Sequence, residues 1–454
     1  MKEYFIEKNL TILYENKYKN SKSKGLDKVN CLNFKKDNEF TIINRKVLDS
    51  SYVFTPYLEI LKLKGRFKLP RLISVPTLRD RVTLLALKEY LHDKFPESVN
   101  RKLPNNYIKD LKKYINKSNS KENIHYIKLD IKNFYDRINR TILIDILKKK
   151  NIDNLAIELI KKAISTPTIP VTTKKINYEN FISEKGIPQG LAISNILAQI
   201  YLYEFDQDIK KRDFFYQRYV DDIIILNQGD ITKYRNKNIE KSLNKLDLEL
   251  NEDKTERNSL KTNFTFLSYD IGVKNISIAE NNIEKFIKRI AGKFTWFRNN
   301  LNNQELRPNW IQTDERLEEI FIEELNDSIT GIISKEKNYG WIFYFSEMTN
   351  LSLLFKLDKI IQSFFLNDKH FKTVPKNLKK LVRTYYVISY DKNKNYISNY
   401  DNYNSIKRKR EFLTFRGKLN PSNYYSDDEI INIFKKYQNK QLYNVEKDIG
   451  YNYF

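Results

Sequence analysis

The sequence predicts an α+β fold, in which a β-sheet region with helices packed on one face precedes a mainly helical region. Between residues 124 and 272, short β-prone runs alternate with segments of helical periodicity. From Ile283 to Phe294, apolar residues recur at the spacing of an amphipathic helix. Hydrophobic residues make up 41% of the chain, which is enough for packed cores and argues against wholesale disorder.

Apolar spacing and turn residues predict the individual elements in chain order. Roughly the first 50 residues are polar, with a turn at 24–27. Leu72–Val75 predicts a strand that Pro76 ends, and the leucines from 84 to 91 predict a helix after it. The sheet region predicts a strand at 126–130, a helix at 134–147, a buried helix at 190–205, two strands within 214–226 and a helix at 239–250. Later periodic segments predict helices at 316–333, 351–366 and 428–437.

The charge balance favours a polyanionic partner. Lys and Arg number 81 against 57 Asp and Glu, which gives a formal charge of +24. Neutralised phosphates release condensed counterions, so such an excess suits a nucleic acid, although a merely soluble basic protein would share it. One cysteine and three scattered histidines exclude an intramolecular disulfide and disfavour a Cys- or His-based metal site.

The chain shows no signal for a membrane. Its N-terminus lacks the apolar core of a signal peptide, and no apolar run approaches the ~20 residues that span a bilayer. We therefore expect a cytoplasmic protein without a membrane partner.

Three carboxylates stand where strands are predicted to end. Asp130 closes the apolar strand at 126–130, and Asp221 and Asp222 lie between two β-prone runs. A hairpin there would put both at its tip, beside the end of the Asp130 strand. Converging carboxylates repel one another unless a divalent cation neutralises them, and Mg²⁺ prefers oxygen ligands. Two such ions ~3.5–4 Å apart can assist an in-line phosphoryl displacement. An isolated Asp-Asp pair is more often a turn or a helix cap.

The order of the surrounding blocks resembles reverse transcriptases, and the resemblance covers about residues 20–345. Tyr219-Val-Asp-Asp222 looks like the family signature and Asp130-Ile-Lys-Asn-Phe-Tyr135 like its first catalytic block. The remaining matching blocks are the fingers block at 71–81, Gly186-Ile-Pro-Gln-Gly-Leu-Ala-Ile-Ser194, the segment at 248–255 and Phe266-Leu-Ser-Tyr269. Chance matches on an unrelated fold are the alternative.

The resemblance implies a right-hand polymerase: fingers, a palm with an antiparallel sheet, and a helical thumb, followed by a C-terminal α-helical domain. The implied division is an N-terminal extension with fingers at 1–123, a palm at 124–275 that contains a fingers segment at about 140–185, a thumb at 276–345 and a helical basic domain at 346–454.

The resemblance also implies a role for each matching residue. Asp130, Asp221 and Asp222 would be the catalytic residues and would bind two Mg²⁺ ions. The implied nucleotide-binding residues are Arg71 over the base and triphosphate, Tyr135 against the incoming sugar, Gln189 near the nascent base pair, and Lys254 as proton donor to pyrophosphate. Phe266, Leu267, Ser268 and Tyr269 would be the primer grip, and Lys285, Lys288, Arg289 and Lys293 would follow a nucleic-acid backbone.

Plainer roles remain open for several of these residues. Tyr135 could be a core aromatic residue, Lys254 a solvated lysine, and the basic helix an ordinary solvent face. We expect Arg79-Asp80-Arg81 to make an ion pair that fixes the fingers, and Lys407–Arg410 to be an exposed loop or a phosphate contact.

The type of reverse transcriptase is narrowed by what the sequence lacks. Asn195 follows Ser194 where group II intron enzymes usually have proline, and no endonuclease or RNase H pattern follows residue 345. A polymerase core with a short helical appendage resembles the defence-associated and abortive-infection reverse transcriptases of bacteria. This implies an RNA-directed DNA polymerase in anti-phage defence, with an RNA template or non-coding RNA, dNTPs and a DNA product as partners. The resemblance further implies a second copy of the chain in a homo-oligomer, or a companion defence protein, as a possible partner.

Three alternatives stay open. One is a mobile-element enzyme of the group II intron type, and another is a non-catalytic RNA-binding scaffold derived from a polymerase. An RNA-dependent RNA polymerase is disfavoured by Tyr135 and Val220.

Overall fold

The chain forms two compact units. The computed structural model describes residues 1–63, 69–100, 102–229, 237–447 and 449. The first unit comprises residues 1–102 and 123–259, and the second comprises 103–122 and the described residues between 260 and 449. The four-domain division expected from the sequence stays a prediction.

Helices are the main regular element of the described chain. In order they are α1 (Glu7–Lys17), α2 (Lys36–Leu48), α3 (Leu78–Lys94), α4 (Pro104–Lys117), α5 (Phe134–Arg137), α6 (Arg140–Lys149), α7 (Asn154–Ser165), α8 (Ser194–Tyr201), α9 (Tyr203–Lys210), α10 (Lys237–Asn244), α11 (Glu280–Asn302), α12 (Asp314–Thr330), α13 (Trp341–Tyr344), α14 (Leu351–Leu366), α15 (Leu381–Tyr390), α16 (Ile406–Phe415) and α17 (Asp427–Glu446). None of the helices in the described ranges combines the length and the apolar character needed to cross a membrane.

The strands are short. They are β1 (Tyr57–Lys62), β2 (Arg71–Val75), β3 (Ile124–Asp130), β4 (Thr168–Ile169), β5 (Phe215–Tyr219), β6 (Asp222–Gln228), β7 (Glu256–Ser259), β8 (Phe264–Phe266), β9 (Tyr269–Ile271), β10 (Ile276–Ile278), β11 (Ile332–Ser334), β12 (Lys337–Tyr339) and β13 (Ser398–Asn399).

A four-stranded antiparallel sheet, in the order β5-β6-β3-β7, lies in the first unit. Its central strands are rich in isoleucine, which fits a pleated, buried surface. Ile127, Leu129, Ile223 and Ile225 belong to one buried core together with helix residues such as Leu197 of α8. Mixed α/β content with this sheet is compatible with a palm, fingers and thumb architecture. The predicted strands at 126–130 and within 214–226 are confirmed.

A second sheet of the first unit has the order β2-β1-β4. Strands β1 and β2 pair antiparallel, and β4 adds parallel to β1. Helix α3 begins after Thr77, whose side chain accepts a hydrogen bond from the backbone N–H of Asp80. The predicted strand at 72–75 and the helix after it are confirmed.

The second unit is mainly helical, with two three-stranded sheets in the orders β10-β9-β8 and β12-β11-β13. Aromatic side chains fill its helical core: Phe286 of α11 stacks on Trp341, and Phe294 packs edge-on against Phe321 of α12. The predicted helix at 351–366 has the bounds of α14.

Some predicted helices are shorter or broken. The segment at 134–147 divides into α5 and α6, because Asn139 caps the N-terminus of α6 with its side chain. The helix expected at 190–205 begins only at Ser194 and divides at Leu202. The helix at 316–333 ends at Thr330, because Gly331 adopts φ +71° and the chain continues as β11.

Two further expectations were incomplete or wrong. The helix expected at 239–250 ends at Asn244, since Asp247 adopts φ +53° and the following residues pair beside the Asp130 strand. The polar N-terminal stretch contains α1 and α2, whose buried residues Leu10 and Phe40 join the core of the first unit.

Candidate active site

The sheet of the first unit brings Asp130 and Asp222 to directly opposing positions. Asp130 is the last residue of β3, Asp222 is the first of β6, and the antiparallel register pairs the two. Side chains opposite each other in such a ladder have Cβ atoms ~4.5–5.5 Å apart on one face of the sheet. Asp221 immediately precedes Asp222 in the β5–β6 turn. The three carboxylates expected to form the catalytic centre therefore lie at one end of one sheet.

The surroundings of Asp221 disfavour its charged form. Burial raises the pKa of Asp221, and the negative charge of Asp130 raises it further. A backbone hydrogen bond and the positive charges of Arg71 and Lys254 act in the opposite direction without cancelling the shift. Two side chains expected to bind the nucleotide, Arg71 and Lys254, are thus within electrostatic range of the carboxylates.

One oxygen of Asp130 is held by two side chains of the following segment. Asp130 Oδ2 accepts from Lys254 Nζ and from Asn251 Nδ2, each at 3.1 Å. The segment is fixed in place because the Asn251 backbone N–H donates to Asp130 O at 2.8 Å and the Lys132 N–H donates to Glu249 O at 3.0 Å. Asn251 was missed by the sequence analysis, although it lies in the segment at 248–255 that resembles a family block.

The turn that carries Asp221 is braced by a buried ion pair. Val220 adopts φ +60°, which is rare for a β-branched residue. The Arg218 side chain, only 4% exposed, donates from Nη1 to Val220 O at 2.8 Å and from Nε to Asp206 Oδ1 at 2.7 Å. Tyr216 Oη donates to the same Asp206 oxygen at 2.6 Å. Burial alone would lower the pKa of Arg218, but its bonds to Asp206 raise it.

This brace was not predicted from the sequence. The one signal for it in the sequence is an arginine next to the Asp-Asp turn, on a strand whose partner strand is apolar. Its anion, Asp206, lies on α9 and could not be assigned from the pattern alone.

Two glycines let the 186–190 loop approach its neighbours. Gly186 and Gly190 adopt φ +82° and +112°. A Cβ at Gly186 would lie 2.7 Å from Asp136 O, and one at Gly190 would lie 2.7 Å from Ser74 O. Any other residue at either position would therefore meet backbone atoms as well as an unfavourable φ.

Backbone hydrogen bonds hold this loop between β2 and the segment after β3. Ser74 N–H donates to Gln189 O at 2.7 Å, and Ile187 N–H donates to Tyr135 O at 2.8 Å. The loop thus fixes the strand that begins at Arg71 relative to Tyr135.

Three of the four expected nucleotide-binding side chains, those of Arg71, Tyr135 and Lys254, interact electrostatically with Asp221. Arg71 is exposed and Tyr135 is half-buried. Burial raises the pKa of the Tyr135 hydroxyl, Asp221 raises it further, and Arg71 opposes the shift. The exposed amide of Gln189 donates to Asp136 Oδ1 at a long 3.5 Å. These electrostatic interactions indicate that Arg71, Tyr135 and Asp221 lie near one another.

Phe266 to Tyr269, expected to be the primer grip, form the β8–β9 turn of the second unit. Leu267 and Ser268 adopt positive φ in this turn. Phe266 and Tyr269 are fully buried, and Tyr269 Oη donates to Tyr344 O. The rings of Phe266 and Tyr269 are therefore not accessible to a primer as the expected grip would require, because both are part of the core. Backbone atoms of the turn remain as the candidate contact.

Only two of the four basic residues of α11 that were expected to follow a nucleic-acid backbone are exposed. Lys285 and Lys288 are exposed, and Lys288 pairs with Glu284 one turn away at 3.2 Å. Arg289 is buried and donates to the backbone oxygens of Ser328, Asn444 and Val445.

Lys293 also faces inward, 4.0 Å from Glu324. Burial lowers its pKa, and the nearby carboxylates of Glu324 and Asp327 oppose the shift. Arg289 and Lys293 therefore stabilise the second unit instead of facing a ligand.

The charged residues at the start of α3 and in α16 make contacts that the sequence predicted only in part. Asp80 is buried and accepts from Tyr52 Oη, Thr55 N–H and Thr77 Oγ1, while Arg79 pairs with Glu39 at 3.8 Å. Arg79 therefore makes an ion pair, as expected for this triplet, with Glu39 as its partner, while Asp80 is held by hydrogen bonds. Residues 407–410 lie within α16 and not in a loop.

No group of three or more His, Cys, Asp or Glu side chains within the described ranges is arranged to hold a metal ion. The chemistry of the donors nevertheless fits a divalent cation. Asp221 is desolvated and repelled by Asp130, and added positive charge would relieve both effects. In the structure, the Lys254 ammonium group supplies part of that charge at Asp130.

Residues 62–271 match the family described as reverse transcriptase (RNA-dependent DNA polymerase). No curated protein matches the chain.

Among solved structures, apo telomerase from Candida tropicalis is similar at 15% identity and a TM-score of 0.44, over 86% of this chain and 67% of that one. Telomerase from Candida albicans in complex with a fragment of telomeric RNA is similar at 14% identity and a TM-score of 0.39, over 87% and 65%. A C-terminally truncated Candida tropicalis telomerase gives 18% identity and a TM-score of 0.39, over 53% and 60%. The chain thus spans about two thirds or less of these telomerases.

Proposed function

We propose, on the premise that residues 62–271 form a reverse transcriptase domain, that the chain copies RNA into DNA by adding dNTPs to a 3′ end. The domain indicates the enzyme class, a nucleotidyltransferase of the RNA-directed DNA polymerase type. The observation that carries the proposal for this chain is the register that sets Asp130 opposite Asp222, with Asp221 beside them. We infer that these three residues are the catalytic carboxylates.

Asp130, Asp221 and Asp222 would hold two Mg²⁺ ions. When bound, the metal would lower the pKa of the attacking 3′-hydroxyl and neutralise the triphosphate. The chain's own part is to keep three acidic side chains at one end of a rigid sheet. The Arg218 brace fixes the backbone carbonyl of Val220, and so orients the turn that carries Asp221.

The side chains around the carboxylates would select and orient the nucleotide. Arg71 is exposed at the start of β2, where its guanidinium can bind phosphate oxygens in a bidentate manner. Tyr135 would press its ring against the sugar and reject a 2′-hydroxyl, while Gln189 would contact the nascent base pair. Lys254 would donate a proton to the leaving pyrophosphate, because its ammonium group already lies beside Asp130.

We further propose that this activity serves bacterial anti-phage defence, with a structured RNA as template or partner. The support is the resemblance of a polymerase core with a short helical appendage to the defence-associated enzymes. A mobile-element enzyme of the group II intron type is the second candidate, since the core blocks are similar. Sequencing the nucleic acid that copurifies with the protein distinguishes them: a dedicated non-coding RNA or untemplated DNA supports defence, and intron RNA supports the mobile element.

Primer extension tests the polymerase proposal. The purified chain should extend a DNA primer on an RNA template with dNTPs and Mg²⁺, and Asp221→Asn should abolish extension while leaving folding and RNA binding largely intact. Asp145→Asn is the matched control, because Asp145 is an exposed aspartate on α6. Full activity in the Asp221 variant would refute the assignment.

A further inference from the structure

Helix α15 of the second unit lies outside the reverse transcriptase domain and is firmly anchored. The Asp358 carboxylate accepts from the backbone N–H groups of Leu381 and Val382 at 2.7 and 3.1 Å, which caps the start of the helix. Leu381 and Thr384 are buried, and Tyr385 Oη donates to Met348 O at 2.8 Å. One face of the helix is therefore fixed to the unit.

The opposite face carries two exposed tyrosines one helical turn apart. Tyr386 is 46% exposed and Tyr390 is 80% exposed. Their rings lie 6.1 Å apart at an interplanar angle of 25°, so their faces are close to parallel. Arg383, which is also exposed, precedes Tyr386 by three positions and lies on the same side of the helix.

The flanks of this helix are strongly basic. Between residues 371 and 394 the chain has seven Lys or Arg residues (372, 376, 379, 380, 383, 392 and 394) and one acidic residue, Asp391. Arg383 lies 4.5 Å above the Tyr396 ring and Lys379 lies 5.5 Å from it, so this ring holds two cations in place. Lys376, Lys380 and Lys392 are exposed.

We propose that this surface, defined by Arg383, Tyr386, Tyr390 and the exposed lysines around them, binds single-stranded nucleic acid. Stacking needs an accessible π-face and unpaired bases, and Tyr386 and Tyr390 offer such faces in succession. The excess of positive charge favours a phosphate backbone over an apolar protein partner. The site is distinct from the carboxylate centre and does not depend on catalysis.

The test measures binding of a fluorescent single-stranded oligonucleotide to the full chain in the Asp221→Asn background, without divalent metal or nucleotides. Tyr386→Ala with Tyr390→Ala should weaken binding on the order of tenfold or more, because base stacking on an aromatic side chain contributes strongly. The slope of affinity against salt should stay unchanged, since no charge is removed. Binding of a duplex of the same sequence should also stay unchanged.

Two controls isolate stacking. Tyr386→Phe with Tyr390→Phe keeps the rings and should bind within about twofold of the parent. Tyr424→Ala removes a 91% exposed tyrosine elsewhere in the chain and should also have no effect. Unchanged single-strand binding in the double alanine variant would overturn the proposal. An equal loss of single-strand and duplex affinity in the double alanine variant would also overturn the proposal. So would a loss of single-strand affinity in the double phenylalanine variant that matches the loss in the alanine variant. A failure of primer extension alone would leave this result untouched.

Discussion

The Arg218–Asp206 ion pair that braces the Asp-Asp turn can be removed in two ways. Comparing them distinguishes its effect on folding stability from its effect on the position of Asp221. Asp206→Ala leaves the buried guanidinium of Arg218 without its anion. A combined variant, Arg218→Met with Asp206→Leu and Tyr216→Phe, instead replaces the whole polar cluster by apolar groups of similar size. Both variants keep the three carboxylates that we propose to be catalytic.

The magnitudes follow from burial. The side chains of Arg218 and Asp206 are 4% and 13% exposed, so removing one partner should destabilise the protein by about 3–5 kcal/mol. Apolar replacement of a whole buried pair is often close to neutral, and we expect the combined variant to lose no more than about 3 kcal/mol. It nevertheless loses the charged donor to Val220 O, a hydrogen bond worth about 1.5–3 kcal/mol.

Urea unfolding measures the loss of stability, and steady-state primer extension measures the loss of activity. The combined variant should fold, but kcat should fall by about 10- to 100-fold with KM for dNTP little changed, since 1.36 kcal/mol corresponds to about tenfold in rate. Tyr216→Phe alone is the control and should cost only about 1 kcal/mol of stability. A combined variant with wild-type kcat would refute the positioning role, and an Asp206→Ala protein of wild-type stability would refute the argument from burial.

Three further predictions concern the nucleotide site, the loop and α11. Tyr135→Ala should incorporate ribonucleotides in a competition assay, while Tyr135→Phe should still discriminate against them. Unchanged selectivity in the alanine variant would contradict the proposal that the Tyr135 ring rejects a 2′-hydroxyl. Gly190→Ala should destabilise the fold by at least about 1–2 kcal/mol in urea unfolding, because its Cβ would meet Ser74 O at φ +112°; wild-type stability would mean that the loop relaxes easily. Lys288→Ala should reduce the slope of log affinity against log salt for nucleic-acid binding by about 0.9 without affecting stability. Arg289→Ala should instead lower the melting temperature. The opposite result for the two variants would contradict a structural role for Arg289.

Much of the sheet could be predicted because its signals are local. The isoleucine run after Asp222 and the apolar strand before Asp130 each fix a β-strand, and the acidic residues mark where the strands end. Helix α14 was predicted to the residue, since its apolar period is uninterrupted from Leu351 to Leu366.

The incorrect predictions concern side chains whose burial and partners depend on residues distant in sequence. On α11, Arg289 and Lys293 lie three and seven positions after Phe286 and therefore share its buried face, a consequence of helical spacing that the charge of these residues obscured. The oxygens that accept hydrogen bonds from Arg289, and the carboxylate that pairs with Lys293, lie on other elements. Asp206 and Asn251 likewise reach the site only through tertiary contacts. Gly331 ended α12 by its backbone conformation, although apolar spacing continued past it.

The claim that Asp221 belongs to a metal site is tested most directly by thermal unfolding of wild type and Asp221→Asn at pH 8, with and without Mg²⁺. The pKa of Asp221 is raised in the folded chain, so the native state holds this proton more tightly than the unfolded state does. Stability is therefore lost as pH rises from the unfolded pKa through the folded pKa of this carboxyl. Without metal, Asp221→Asn should melt at a higher temperature than wild type, and the difference should shrink as pH falls.

Adding Mg²⁺ should reverse the order, because a ligand at about 100 times its Kd stabilises the native state by about 2.7 kcal/mol and the amide is a poor metal ligand. Asp145→Asn should respond to Mg²⁺ like wild type. An equal Mg²⁺ response in wild type and Asp221→Asn, or a metal-free variant that melts below wild type, would contradict a metal-binding carboxylate at this position.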